Sequence, residues 1–228
     1  MKYPVAALLM VLGLMVASPA SADDEFTGGG GIYFAPTFLL AGKWQEDAIY
    51  DASDNEFWAQ DWKYRGFTPG FGVFGEFALH RHFLLGLEGY LAFPEVKQFR
   101  MTDAPAGVDT GTWEDFDATE KDFMLSLMLR FKAPFRLTRL VTIYPIVGFG
   151  FSYYMSKTEE GGTDASFSGI VLMGGFGTEI DAHRFVTPFA EVRYMLAAGW
   201  HDEKQAGLTE EARVMTHALA ILVGVRFP

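Results

Sequence analysis

The sequence predicts an all-β protein, an eight-stranded antiparallel up-and-down transmembrane β-barrel, and three observations predict it. Eight segments alternate apolar residues with small or polar ones at a period of two, the β-strand period. Short and long connections alternate between them. An export signal opens the chain, and no later apolar run is long enough for a transmembrane helix. A closed barrel is then the remaining way across lipid.

The elements follow in chain order. Lys2 precedes an apolar run from Val5 to Val16, then Pro19 and Ala20-Ser21-Ala22 before Asp23. This is the pattern of a cleaved secretory signal peptide, so residues 1–22 are expected to be the signal and 23–228 the barrel domain. The first strand, 31–41, shows Ile32, Phe34, Phe38 and Leu40 on one face. The second, 66–79, shows Phe67, Phe71, Val73, Phe77 and Leu79, against Thr68, Gly70, Gly72, Phe74, Glu76 and Ala78. The third shows Phe83, Leu85, Leu87, Leu91 and Phe93; the fourth, 121–131, shows Phe123, Leu125, Leu127, Leu129 and Phe131. Val141, Ile143, Val147, Phe149, Phe151 and Tyr153 mark the fifth, 141–154. The sixth, 167–181, carries Ile170, Leu172, Phe176 and Ile180, and the seventh Val186, Ala190, Val192, Tyr194 and Leu196.

The eighth, 214–227, is the clearest. Met215, His217, Leu219, Ile221, Val223, Val225 and Phe227 form one face. Thr216, Ala218, Ala220, Gly224 and Arg226 form the other, with Leu222. A soluble sandwich strand is shorter and charged on its wet side; this one suits lipid on one face and a narrow lumen on the other. Pro36, Pro145 and Pro188 interrupt strands and are expected at bulges or unbonded positions. Turns near 80–82, 133–139 and 182–184 are expected to be tight, and loops near 42–65, 94–120, 155–166 and 198–212 long. Arg81, Lys132, Arg136, Arg139 and Arg184 fall in the short turns, while most carboxylates fall in the long loops.

On signal, strand number, loop alternation and a C-terminal aromatic, the whole mature chain resembles the small eight-stranded outer-membrane barrels. These are the families of the outer-membrane protein A transmembrane domain and outer-membrane protein X. The resemblance implies location in the cell outer membrane, with its lipids and the barrel-assembly machinery as partners. It also implies that Val225 and Phe227 form the C-terminal insertion signal, although Pro228 follows them.

The residues alternating with the apolar faces include Glu76, Glu88, Arg130, Glu179, Glu191, Arg193 and Arg226. Each Glu pair flanks a tight turn, so the two carboxylates approach each other on the inner face and need a cation between them. Arg130, Arg193 and Arg226 are the available partners, with Phe74, Tyr90, Tyr144 and Phe189 filling space around them. An eight-stranded barrel is just wide enough for such side chains. Trp44, Trp58, Trp62 and Tyr64 in the first long loop are expected in an outer aromatic girdle or in loop contacts.

Other chemistry is not supported. There is no cysteine, hence no disulfide framework, and the net charge of −11 argues against nucleic acid. His80 and His82 lack further metal ligands, and Asp51–Glu56 lacks the glycine and final glutamate of a calcium loop. No histidine and serine stand together with an orienting group; no cofactor is implied. The expected function is that of a non-enzymatic outer-membrane barrel, acting in envelope structure or, through acidic loops, in binding surface ligands or adhesion. The alternatives are a narrow small-solute or ion channel, an outer-membrane lipid-modifying enzyme, and a water-soluble lipocalin-like binder with its apolar face inward.

Overall fold

The computed structural model describes residues 28–228 except 52–55, 65, 81, 104–110, 116–122, 157–164, 182 and 206–207. The expected signal peptide, 1–22, lies outside the described residues. Eight strands form the barrel: β1 (Gly29–Phe34 and Thr37–Asp51), β2 (Glu56–Tyr64, Gly66–Thr68 and Gly70–His80), β3 (Phe83–Ala92 and Val96–Asp103) and β4 (Phe123–Lys132). The circuit continues through β5 (Val141–Ser156), β6 (Ala165–Ile180), β7 (Thr187–Gln205) and β8 (Leu208–Phe227). Each pairs antiparallel with the next, and β8 closes on β1 through registers such as Ile32 with Val225 and Phe38 with Leu219. Closure removes both sheet edges, so no row of backbone donors and acceptors is left facing lipid.

Outward side chains form a continuous apolar wall. Ile32, Phe71, Phe149, Val192, Ile221 and Val223 are all exposed, and Phe151 and Phe176 reach 74% and 73%. The inward set is buried and holds the charges Glu76, Glu88, Arg130, Glu179, Glu191 and Arg193. Apolar outside and charged inside is the reverse of a water-soluble binder, which overturns that alternative. It is the architecture of a bilayer-spanning barrel, and it places the protein in the cell outer membrane.

Proline shapes the ladders because it offers no N–H. Pro36, Pro69 and Pro94 lie in the gaps between segments of β1, β2 and β3. Across the first gap the Ala35 N–H donates to the Gly70 carbonyl at 2.8 Å, and the Ile221 N–H donates to the Pro36 carbonyl at 3.0 Å. Pro188 pairs with Val225 of β8 just beyond the last β6–β7 register pair, Glu179 with Phe189. Pro145 similarly lies one residue past the last β4–β5 pair, Ile146 with Lys132. Residues Leu40 and Leu79 are the extra residues at bulges against β8 and β3.

Four expectations about connections are corrected. The stretches 42–65 and 198–212 are not long loops: β1 runs to Asp51 and pairs with Glu56–Tyr64, and β7 and β8 pair from Gln205–Leu208 onward. Part of 94–120 is likewise strand, Val96–Asp103, which also pairs with Glu114–Asp115. Backbone pairing needs no apolar face, so the ladder continues after the apolar alternation has ended. Lys132 is the last residue of β4, not a turn residue, and is 2% exposed.

Inner-face glycines admit aromatic rings across the strands. Tyr33 pairs with Gly72, and a Cβ on Gly72 would lie 2.0 Å from the Tyr33 ring. Tyr144 lies over its partner Gly177 in the same way, at 2.5 Å. Overpacking a filled core costs about 1–3 kcal/mol, so Gly72→Val is expected to lower the unfolding free energy of the barrel by that amount and its urea midpoint with it. Loss of heat-modifiable gel mobility along a urea series measures it, and an unchanged midpoint would contradict this packing.

Candidate functional site

The inward charges form two connected tiers across the lumen. In the tier nearest the short turns, the Lys132 ammonium donates to Glu76 at 3.3 Å and to Glu179. The Arg226 guanidinium lies 3.4 Å from Glu179 and 3.8 Å from Glu76. In the next tier Arg130 donates to Glu88 at 2.9 Å and to Glu191 at 3.2 Å. Arg193 donates to Glu191 at 2.5 Å through Nε and to Glu88 through Nη1. Arg130 also lies 3.7 Å from Glu76, which joins the tiers. Four carboxylates thus face four cations, and the network is neutral.

Strand register explains the arrangement. Phe74 is directly opposite Glu88, and Gly86 opposite Glu76, so this Glu pair is diagonal across β2 and β3. Gly177 opposite Glu191 and Phe189 opposite Glu179 repeat the pattern on β6 and β7. Arg130 of β4 contacts both Glu76 and Glu88, whereas Glu179 is held by Lys132 and Arg226 and Glu191 by Arg130 and Arg193. Rings complete the packing: Phe74 lies under the Arg130 guanidinium at 4.1 Å and Tyr144 under the Lys132 ammonium at 4.0 Å, a favourable cation–π geometry. The Tyr33 hydroxyl donates to Glu88 at 2.6 Å and the Tyr144 hydroxyl to Glu191 at 2.8 Å.

Toward the long hairpins the lumen becomes neutral. Tyr90 and Thr37 hydroxyls are 2.7 Å apart, those of Tyr154 and Thr216 3.0 Å apart, and Met124 and Met195 are buried beside them. The cavity between Leu39, Met124, Tyr154, Met195 and Thr216 has a volume of about 20 Å³, room for a single water. The lumenal carboxylates are all engaged by cations behind this constriction. They have no side open to a substrate.

Residues that the sequence reading passed over complete the picture. Lys132 and Tyr33 belong to the network, and both sit on the small-or-polar side of the period-two alternation. Farther out, Arg100 donates to the buried Asp61 at 2.9 and 2.7 Å, and Lys63 and Arg100 lie over the Trp113 ring at 3.4 and 4.6 Å. The Trp44, Trp58, Trp62 and Tyr64 backbones are in β1 and β2, with Trp44 opposite Trp62; their side chains lie outside the described residues. Asp51 ends β1, and 52–55 of the calcium-like stretch are not described. Val225 and Phe227 face outward at the end of β8, Phe227 exposed. His80 and His82 rings are 5.6 Å apart at the first turn, and no group of three metal-ligating residues occurs among the described residues.

Removing one partner of a buried ion pair strands the other charge and costs about 3–5 kcal/mol. Arg130→Met is therefore expected to destabilise the barrel by about that much. Combining it with Glu88→Gln should recover part of the loss, because the stranded carboxylate is then neutral. Urea unfolding in lipid vesicles measures both, and equal stability of Arg130→Met and the unsubstituted chain would refute the network's role.

No family model and no curated protein matches the chain. Among solved structures it is similar to the outer membrane protein OprG from Pseudomonas aeruginosa, at 11% identity and a TM-score of 0.49, over 89% of this chain and 98% of that one. It is also similar to the outer membrane protease OmpT from Escherichia coli, at 7% and 0.45, over 91% and 99%. Neisserial surface protein A is a third, at 14% and 0.43, over 86% and 96%. At these identities and scores no functional residue is carried over, and the functional reading rests on this chain's own geometry.

Proposed function

We propose that this protein is a non-enzymatic outer-membrane barrel with a plugged lumen, whose long acidic hairpins serve envelope structure or contact with surface ligands. The observation that carries this reading is the neutral network of four carboxylates and four cations filling the barrel's width. Such a plug rigidifies the barrel and obstructs ions, since a passing ion would have to break buried pairs. Among the described residues the lumen offers no cleft for a substrate. The parts left to act on the surroundings are the hairpins that continue past the apolar wall, β1–β2–β3 and β7–β8. The expected partners are outer-membrane lipids, the barrel-assembly machinery during insertion, and surface ligands at the hairpins.

Planar-bilayer recording separates this reading from the channel alternative. The unsubstituted protein is expected to stay at the bilayer baseline, and Arg130→Ala with Arg226→Ala to raise conductance by unplugging the lumen. Stable unitary currents through the unsubstituted protein would overturn the plug. Shortening the β1–β2 hairpin and assaying attachment of whole cells to host or abiotic surfaces tests the hairpin role. Attachment is expected to fall while the barrel remains heat-modifiable.

A further inference from the structure

The connection from β4 to β5 is not built like a water-facing turn. Turns in water favour Gly, Asn, Asp, Pro and Ser, whereas this one is Leu137-Thr138-Arg139-Leu140. Leu137 and Leu140 are 61% and 56% exposed, and Phe135 before the turn is exposed with them. Phe185 is exposed in the neighbouring turn between β6 and β7. Hydrogen bonds hold these side chains on a defined scaffold. The Leu137 N–H donates to the Val141 carbonyl at 2.9 Å. Thr138 Oγ1 accepts from the N–H groups of Leu140 and Val141 at 3.2 and 3.0 Å. The Asp181 N–H donates to the Leu140 carbonyl at 2.8 Å, which ties the two turns together.

Depth decides what surrounds them. Outward on β5, Ile143, Val147, Phe149, Phe151 and Tyr153 are exposed. From Ile143 to Tyr153 is ten residues. At about 3.3 Å per residue and a tilt of about 40° this is roughly 25 Å, the height of the apolar band in such barrels. Leu140 lies three residues beyond Ile143, about 7 Å farther along the membrane normal by the same rise. The headgroup layer is roughly 5–8 Å thick on each side of the hydrocarbon. The turn therefore stands among lipid headgroups. Phe135 is opposite Ile143, so the apolar surface runs unbroken from the turn onto the wall.

The charge at this rim is unbalanced. Arg139 lies between the two leucines and Arg184 beside Phe185, and both are exposed. Arg184 lies over the Phe185 ring at 4.3 Å. Neither arginine has a carboxylate partner among the described residues. Asp181, between the turns, is already engaged by Arg136 at 3.8 Å. Within residues 135–140 and 181–185 three arginines stand against this one carboxylate. We infer that the two turns form a headgroup-embedded platform that binds an anionic phospholipid of the leaflet on this side. Arg139 and Arg184 hold its phosphate, and its acyl chains lie along Leu137, Phe135 and Ile143. Charge complementarity selects the lipid, because a zwitterionic headgroup brings its own cation to a surface already in surplus. The inference rests on the reading of the chain as a membrane barrel.

The test uses the full chain in non-ionic detergent, titrated with phosphatidylglycerol or phosphatidylcholine and read by native mass spectrometry. Each arginine near an anionic surface strengthens attraction about fivefold. The unsubstituted chain is expected to retain phosphatidylglycerol at least about tenfold more strongly than phosphatidylcholine. Arg139→Gln is expected to reduce the preference about fivefold. Arg139→Gln with Arg184→Gln is expected to abolish it, and Lys97→Gln at the opposite rim to leave it intact. Equal retention of the two lipids, a preference surviving the double substitution, or complete displacement by inorganic phosphate would each overturn the proposal. In whole cells, p-benzoylphenylalanine in place of Leu137 is expected to form phospholipid adducts on irradiation. Adducts to another protein instead would assign the platform to a protein partner and overturn the lipid. Both arginines are exposed in turns, so their variants are expected to fold, and heat-modifiable mobility checks each one. Its absence in the unsubstituted chain would instead overturn the barrel reading on which the proposal stands.

Discussion

Everything in this structure depends on the closure of β8 against β1. In hydrocarbon an unpaired backbone group costs several kcal/mol, so a sheet that crosses lipid must have no edge. Eight strands is the number available, and eight strands enclose a space that side chains themselves can fill. The width of the lumen follows from closure, and the chemistry inside follows from the width. Pairs such as Ile32 with Val225 and Phe38 with Leu219 are therefore the bonds on which the interior relies.

Within that width, charge neutrality does the organising. Glu76, Glu88, Glu179 and Glu191 are buried, and isolated carboxylates there would be untenable. Lys132, Arg130, Arg193 and Arg226 reach them from other strands, so the ion pairs tie opposite walls of the barrel together. Gly72 and Gly177 let the rings of Tyr33 and Tyr144 lie flat beside those pairs. Their hydroxyls then satisfy Glu88 and Glu191. Packing and electrostatics are one arrangement here: the rings that fill space also complete the hydrogen bonding.

Most of the fold is legible in the sequence because lipid enforces strict alternation. Phe123, Leu125, Leu127, Leu129 and Phe131 read as one face without any tertiary knowledge, and the inward identity of Glu76 or Arg193 follows by parity. The same signal misleads where lipid ends. Residues such as Gln45, Asp61 and Glu211 continue the ladders with no apolar period, because backbone pairing needs no apolar face once the strand is past lipid, and so they read as loop. Lys132 was legible by parity yet overshadowed by the turn beside it, since a lysine at a strand end is more often solvated.

The sequence by itself determined that the chain forms eight alternating strands, which side of each meets lipid, and hence the membrane it occupies. A period of two is a local property, and one face per strand needs no knowledge of the neighbour. Only the tertiary structure decided which cation meets which carboxylate, that the prolines at 36, 69 and 94 fall in the gaps of three adjacent strands, and that Tyr194 bonds His217. Those facts depend on register and stagger between strands. Register is set by the closed circuit as a whole, and no single segment of the chain contains it.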